Sequence, residues 1–161
     1  MRRSKPDSGS VAVDAPACTR TALELLARRE HSRRELHDKL LKKGCAEALA
    51  VETVKRLEQE HLVSDDRFME SLIRARRNRG YGPLRIQKEL QEKGVTAEAI
   101  EGWLDISGRE WLDDIRRVQR KKFGARLPKS YPERARQARF LQYRGFTYDQ
   151  IQKVLNPHGQ D

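Results

Sequence analysis

Residues 63–94 read VSDDRFMESLIRARRNRGYGPLRIQKELQEKG, a stretch that holds a capped helix, a basic helix end, a two-glycine turn and a second helix. Ser64 is placed to cap the first helix, with Val63 and Phe68 as a hydrophobic staple and Asp65 and Asp66 in the first turn, where the positive helix end favours carboxylates. Phe68, Leu72 and Ala75 recur at helical spacing and Met69 and Ile73 widen the stripe, so one face is core. Gly80 can adopt the left-handed conformation that ends a helix. Pro83, after Gly82, opens the next helix at a position where its missing N–H breaks no hydrogen bond. Ile86 and Leu90 carry the buried face on to a stop at Gly94.

Working outward, the segment up to residue 16 is polar, basic and without helical period, which predicts a disordered tail with helix formation from about Cys18. Ala22, Leu23, Leu25 and Leu26 give the first apolar face. His31 to Glu35 supplies a capping box for a second helix bearing Leu36 and Leu40, which stops at Gly44, and Val51, Val54 and Leu57 mark a third.

Sliding the chain against itself exposes a repeat. Leu36, Leu40 and Gly44 match Ile86, Leu90 and Gly94 at an offset of 50, and Leu141 and Gly145 match Leu90 and Gly94 at 51. In the sharpest form, Gly94-Val95-Thr96 followed by Ile100 corresponds to Gly145-Phe146-Thr147 followed by Ile151. Glycine ends one helix, threonine caps the next, and the apolar residue before the cap staples to the fourth helical residue. The first copy, Gly44-Cys45-Ala46, keeps the glycine but lacks the threonine, and its third helix is longer. Gln137 replaces the apolar residue in the third copy, which predicts packing through Ala138 and Phe140 or a shift in register. The expected fold is all-α, built of tandem three-helix repeats in an elongated, curved molecule. The tail covers 1–16 and the repeats cover 17–63, 64–108 and 109–161. Trp103 and Trp111 flank the second joint and are assigned to core packing rather than to an exposed surface for stacking bases.

Of the 161 residues, 37% are hydrophobic and 36% charged, lean for a globular core yet ordinary for thin amphipathic helical arrays. No apolar run approaches the ~20 residues needed to span a bilayer, and the N-terminal segment lacks a signal-peptide centre, so a cytoplasmic protein without membrane contact is expected. Cys18 and Cys45 lack metal-ligand spacing and are assigned as small buried hydrophobes, with an incidental disulfide or a reactive thiol as the alternative. His31, His37, His61 and His158 form no recognisable ligand set, and no phosphate loop or nucleophile elbow occurs. Asp65 and Asp66 point about 100° apart on a helix and are needed as caps. The expectation is no enzyme, no catalytic residue, no metal and no cofactor.

The net charge of +10 favours a polyanionic or acidic partner. Arg67, Arg74 and Arg77 fall on the face opposite Phe68 and Leu72, and Arg76 and Arg79 flank the apolar stripe near the helix end. Tyr81 lies between two glycines beside them. Arg85 and Lys88 are spaced to pair with Glu89 and Glu92 at i+4. Between Ile115 and Gly145, eleven Lys or Arg residues face one acid, Glu133. Arg116 with Arg120, and Arg117 with Lys121, are like-charge i,i+4 pairs that destabilise an isolated helix, which suggests a partner that neutralises them. Arg136, Arg139 and Tyr143 add a basic and aromatic edge.

The stretch 63–94 closely resembles the signature region of the RecX family, regulators of the bacterial RecA recombinase, and the resemblance extends over roughly residues 22–155. Asp65, Phe68, Ser71, Arg74, Tyr81-Gly82, Ile86, Leu90 and Gly94 carry it. It implies tandem three-helix repeats and a monomer that binds the RecA nucleoprotein filament along its groove. Through that contact the chain would restrain ATP hydrolysis, strand exchange and co-protease action, dampening recombination, DNA repair and the SOS response. Arg74, Arg77, Tyr81 and Arg85 become candidates for contact with RecA, and direct contact with single- or double-stranded DNA is a further expectation. The competing reading is a DNA- or RNA-binding module using helix-turn-helix-like units. The spread of basic residues over two repeats, rather than on one recognition helix, weighs against it.

Overall fold

A computed structural model describes residues 12–159, and among these the chain forms nine α-helices and no strand. The expected disordered tail lies, up to residue 11, outside the described residues. The chain divides into two compact units, Met1–Ser64 and Asp65–Asp161.

The first unit packs α1 (Ala15–Arg28), α2 (Arg33–Lys42) and α3 (Glu47–Gln59) against one another. Helix α1 starts three residues before Cys18, because Asp14 Oδ1 accepts the Ala17 N–H at 3.0 Å and Pro16 occupies the first turn, where no donor is lost. Ser32 caps α2 as expected, accepting the Glu35 N–H at 3.0 Å. Ala22, Leu36, Leu40, Ala50, Val54, Leu57 and Val63 form the core together with both cysteines. Cys18 and Cys45 are therefore buried as expected but not as separate thiols. Helix α1 lays Cys18 against the α2–α3 joint, and the two are joined as a disulfide with Cα atoms 6.0 Å apart.

The second unit contains two three-helix groups around one continuous core. The first is α4 (Asp65–Asn78), α5 (Pro83–Glu92) and α6 (Ala97–Trp103), and the second is α7 (Glu110–Phe123), α8 (Tyr131–Arg144) and α9 (Tyr148–Leu155). Phe68, Ile86, Leu90 and Ile100 from the former meet Trp111, Ile115, Leu141 and Ile151 from the latter in that core. Val63 packs in the core of the first unit and Phe68 in the core of the second. Ala75 is exposed, so the buried stripe of α4 narrows to Phe68 and Met69, with Leu72 and Ile73 at its edge.

The repeated joint is visible in all three groups. Gly44, Gly94 and Gly145 take φ of +94°, +81° and +100°, a region that side chains with a Cβ rarely adopt. Thr96 accepts the Ala99 N–H at 3.2 Å. Thr147 and Gln150 form a complete capping box. Ala46 offers no side-chain cap, and α3, with 13 residues against 7 in α6 and 8 in α9, is the long third helix.

Gln137 keeps its place in the repeat without a change of register. It is buried and accepts a hydrogen bond from the buried Gln119 Nε2 at 3.2 Å, so a polar pair fills a site that is apolar in the other copies. Ala138 and Phe140 pack at the edge of the same core. Of the two tryptophans, Trp111 is core and donates its N–H to the Asp105 carbonyl at 2.8 Å. Trp103 is 43% exposed and is tied to Asp66 at 3.0 Å, contrary to its assignment to the core. Through Pro128 the chain runs as a connection over residues 124–130, with Pro128 buried. Ser130 then caps α8 and Pro132 sits in its first turn.

Candidate nucleic-acid and protein interface

The basic residues of the second unit divide into those that hold it together and those that line its surface. Arg76 reaches from α4 to α5 and grips both oxygens of Glu89, at 2.8 and 2.6 Å. Hydrogen bonding to Arg76 holds the Glu89 carboxyl below the usual carboxylate range despite the opposing effect of burial, and the same bond raises Arg76 above its ordinary value. Glu89 is thus paired with Arg76, whereas the sequence spacing had offered it to Arg85.

Arg77 does not face away from the core. It crosses to α7, binds Asp114 at 2.7 and 3.2 Å, and lies 4.9 Å from the centre of the Trp111 ring. Asp114 is buried and also accepts from Arg117, while Arg116 pairs with Asp113 at 3.5 Å. The charge imbalance read from Ile115 onward is therefore partly answered by two acids lying just before it. Arg74 pairs with Glu70 at 3.1 Å on an exposed face.

Tyr81 sits at the centre of the remaining cations. The Arg85 guanidinium lies 4.0 Å and that of Arg144 5.2 Å from its ring centre, and Arg85 also approaches the exposed Tyr143 at 5.5 Å. The loop carrying Tyr81 is fixed by backbone contact with the Gly145 joint. The Gly82 N–H donates to the Arg144 carbonyl at 2.8 Å, the Leu84 N–H donates to the Gly145 carbonyl at 2.9 Å, and Arg144 Nη1 donates to the Arg79 carbonyl at 3.0 Å. A Cβ on Gly82 would lie 2.5 Å from the Gly145–Phe146 backbone, so only glycine permits this approach.

Two open grooves flank Tyr81 and Arg79. One, of about 650 Å³, is lined by Arg77, Arg79, Arg117, Lys121, Lys122 and Arg144, with Phe140 and Val118 as apolar wall and no acid. The other, of about 860 Å³, mixes Arg79, Arg85, Lys88 and Lys93 with Glu89 and Glu92, and is bordered by Tyr143. Arg120 and Arg139 are exposed, and Arg136 lies over the Phe123 ring at 5.8 Å. Of the expected contact residues, the structure brings Arg77, Arg79, Tyr81, Arg117 and Lys121 to the acid-free groove, and Arg76, Arg79, Tyr81, Arg85 and Lys88 to the mixed one. Arg74, Arg116, Arg120, Arg136 and Arg139 line neither.

Sequence spacing alone does not mark Arg144, Lys122 or Phe140 as site residues. Arg144 was masked by its position, because a cation just before the helix-ending glycine also occurs as Lys43 and Lys93 and reads as ordinary helix-end chemistry. In the sequence Phe140 reads as packing alone, yet Lys122 and Arg144 approach its ring at 5.5 and 5.2 Å. Fixed cations beside aromatic faces can bind phosphate or carboxylate groups. No group of three or more His, Cys, Asp or Glu side chains among the described residues is arranged to hold a metal ion, and no described helix is long and apolar enough to cross a membrane.

Family models for the first, second and third three-helix domains of RecX match residues 18–57, 64–104 and 110–155. The regulatory protein RecX of Pseudomonas fluorescens strain Pf-5 is 41% identical over 145 residues, spanning 90% of this chain and 94% of that protein. Its counterpart in Pseudomonas savastanoi pv. phaseolicola is 42% identical over 152 residues, spanning 94% and 98%. Among solved structures, RecX from Lactobacillus salivarius superposes with a TM-score of 0.75 at 23% identity, over 91% of this chain and 97% of that one, a likeness of fold.

Proposed function

Since the chain belongs to the RecX family, we propose that it is a non-enzymatic inhibitor of RecA, binding the RecA filament on single-stranded DNA along its groove. In doing so it restrains ATP hydrolysis, strand exchange and co-protease activity, and so regulates recombination, DNA repair and the SOS response in the cytoplasm. It acts as a monomer of three repeats, 17–63, 64–108 and 109–161, preceded by a tail.

The observation that carries this reading within the molecule is the acid-free groove between α4, α7 and α8, where six cations converge beside Phe140. Cations held in place by a folded wall lose little freedom on meeting an anionic partner, whether acidic side chains of a protein lattice or DNA phosphates. Arg76 and Arg77 support the groove from within, while Arg79, Arg117, Lys121, Lys122 and Arg144 present charge to the partner. Arg85, Lys88 and Tyr143 extend the contact along the second groove.

The test is RecA's ATP hydrolysis on single-stranded DNA with this protein titrated in, alongside its binding to bare single-stranded DNA at the same salt. Inhibition below one copy per RecA with weak bare-DNA binding is expected. Unchanged hydrolysis with tight bare-DNA binding would favour the nucleic-acid module instead.

A further inference from the structure

We propose that Cys18 and Cys45 form a reversible oxidation site that staples the first three-helix unit shut. The proposal rests on a difference among the three joints and is independent of the partner of the basic grooves. At the second and third joints, the residue after the glycine is buried Val95 or Phe146 and the next is a threonine whose hydroxyl caps the following helix. At the first joint these positions are Cys45 and Ala46, and Ala46 makes no side-chain cap. The first joint thus loses a helix cap and gains a sulfur.

Opposite that sulfur, α1 places Cys18. It is fully buried, Cys45 is 5% exposed, and the Cα atoms stand 6.0 Å apart, within the range a disulfide spans. Their neighbours are Ala22, Leu36, Leu40, Ala50 and Val54, so in the reduced state the two thiols fill the core as small apolar side chains. The bond ties α1 to the α2–α3 joint across a separation of 27 residues and restricts the unfolded chain accordingly.

The oxidant that suits so enclosed a site is a small peroxide. Hydrogen peroxide oxidises Cys45, which lies at the edge of the core, to a sulfenic acid with release of one water. The Cys18 sulfur then displaces the sulfenic oxygen as a second water, forming the S–S bond. Two thiols lose two protons and two electrons, and one peroxide becomes two waters. Dithiols reverse the step by exchange. Access to the core comes through local opening of the first unit, which the finished bond then suppresses.

The full chain is prepared reduced, and part of it is treated with hydrogen peroxide. Both forms are alkylated after denaturation for intact mass, and their melting and amide exchange are compared. The oxidised form is expected to be a monomer two hydrogens lighter than the reduced protein, with no alkylated cysteine. The same treatment should raise the melting temperature of the first unit by about 5 to 15 °C and slow exchange over residues 15–59, leaving residues 65–155 unchanged. Cys45→Val, which installs the residue of the second joint, should fold and lose all dependence on redox state. Oxidised chains that keep two free thiols, that link to one another, or that melt and exchange like the reduced protein would overturn the proposal.

Discussion

His31 is the residue whose environment makes the sharpest demand on its protonation state. Its ring is buried, with Nδ1 3.0 Å from the Arg29 carbonyl and Nε2 2.9 Å from the Lys39 ammonium. A neutral ring satisfies both, with an Nδ1–H donor to the carbonyl and a bare Nε2 accepting from lysine. Burial pushes its pKa down, as do the charges of Arg29 and Lys39, while the Arg29 carbonyl bond and Glu35 pull it back up. The unfolded chain, titrating near about 6.5, therefore takes up a proton at higher pH than the folded one. Stability from this site is complete above that value and is lost as pH falls through the lowered folded value. Melts of the full chain between pH 7.5 and 5 should show the first unit softening as acid is added, and His31→Asn should soften less. Equal acid sensitivity in the two would show that the ring does not govern the transition. No spacing rule revealed this site, because a histidine just before a capping serine reads as a helix flank. Gln137 poses the opposite case. Its departure from the apolar pattern was plain in the sequence, but the partner that makes the departure tolerable, Gln119, lies on another helix 18 residues away.

Elements are joined in the second unit by interactions that a one-dimensional reading assigns elsewhere. Helix positions, the glycine joints and the threonine caps were legible because each is set by residues within about four places of one another. The clamp from α4 to α7 was not, since Arg77 and Asp114 are 37 residues apart and each has an ordinary reading on its own helix. Here Asp114 is buried and bound by two guanidiniums, whereas Arg77 keeps a third of its side chain in solvent. Asp114→Ala leaves those cations unpaired, but Arg77 can turn to water, so the expected loss is about 1 to 3 kcal/mol, below the ~3–5 kcal/mol for fully buried pairs. Amide exchange should quicken across α4 and α7 and stay unchanged over α1 to α3, which have a separate core. Wild-type exchange in α7 of the variant would mean that apolar packing of Trp111 and Ile115 alone holds the two groups together.

At the scale of the whole chain, a formal net charge of +10 predicts attraction to any polyanion, so specificity has to come from where the cations are fixed. Arg74 and Arg116 contribute charge but are paired with Glu70 and Asp113 on exposed faces. Lys121 and Lys122 belong to the acid-free groove, beside Arg144 and Phe140, and Arg120 precedes them on α7. Two double reversals, each lowering net charge by four, can therefore be set against each other. Lys121→Glu with Lys122→Glu reverses two of the groove's six cations, and Arg74→Glu with Arg116→Glu lowers overall charge away from it. If the groove meets the RecA filament, the first variant should need at least about tenfold more protein for the same restraint of ATP hydrolysis, a difference near 1.4 kcal/mol. The second should lose only the part that added salt screens in the wild type. Matching circular dichroism and melting for both variants would establish that contact, not folding, had changed. Equal weakening by the two would mean that the chain is held by diffuse charge, and the groove would then have no special claim on the partner.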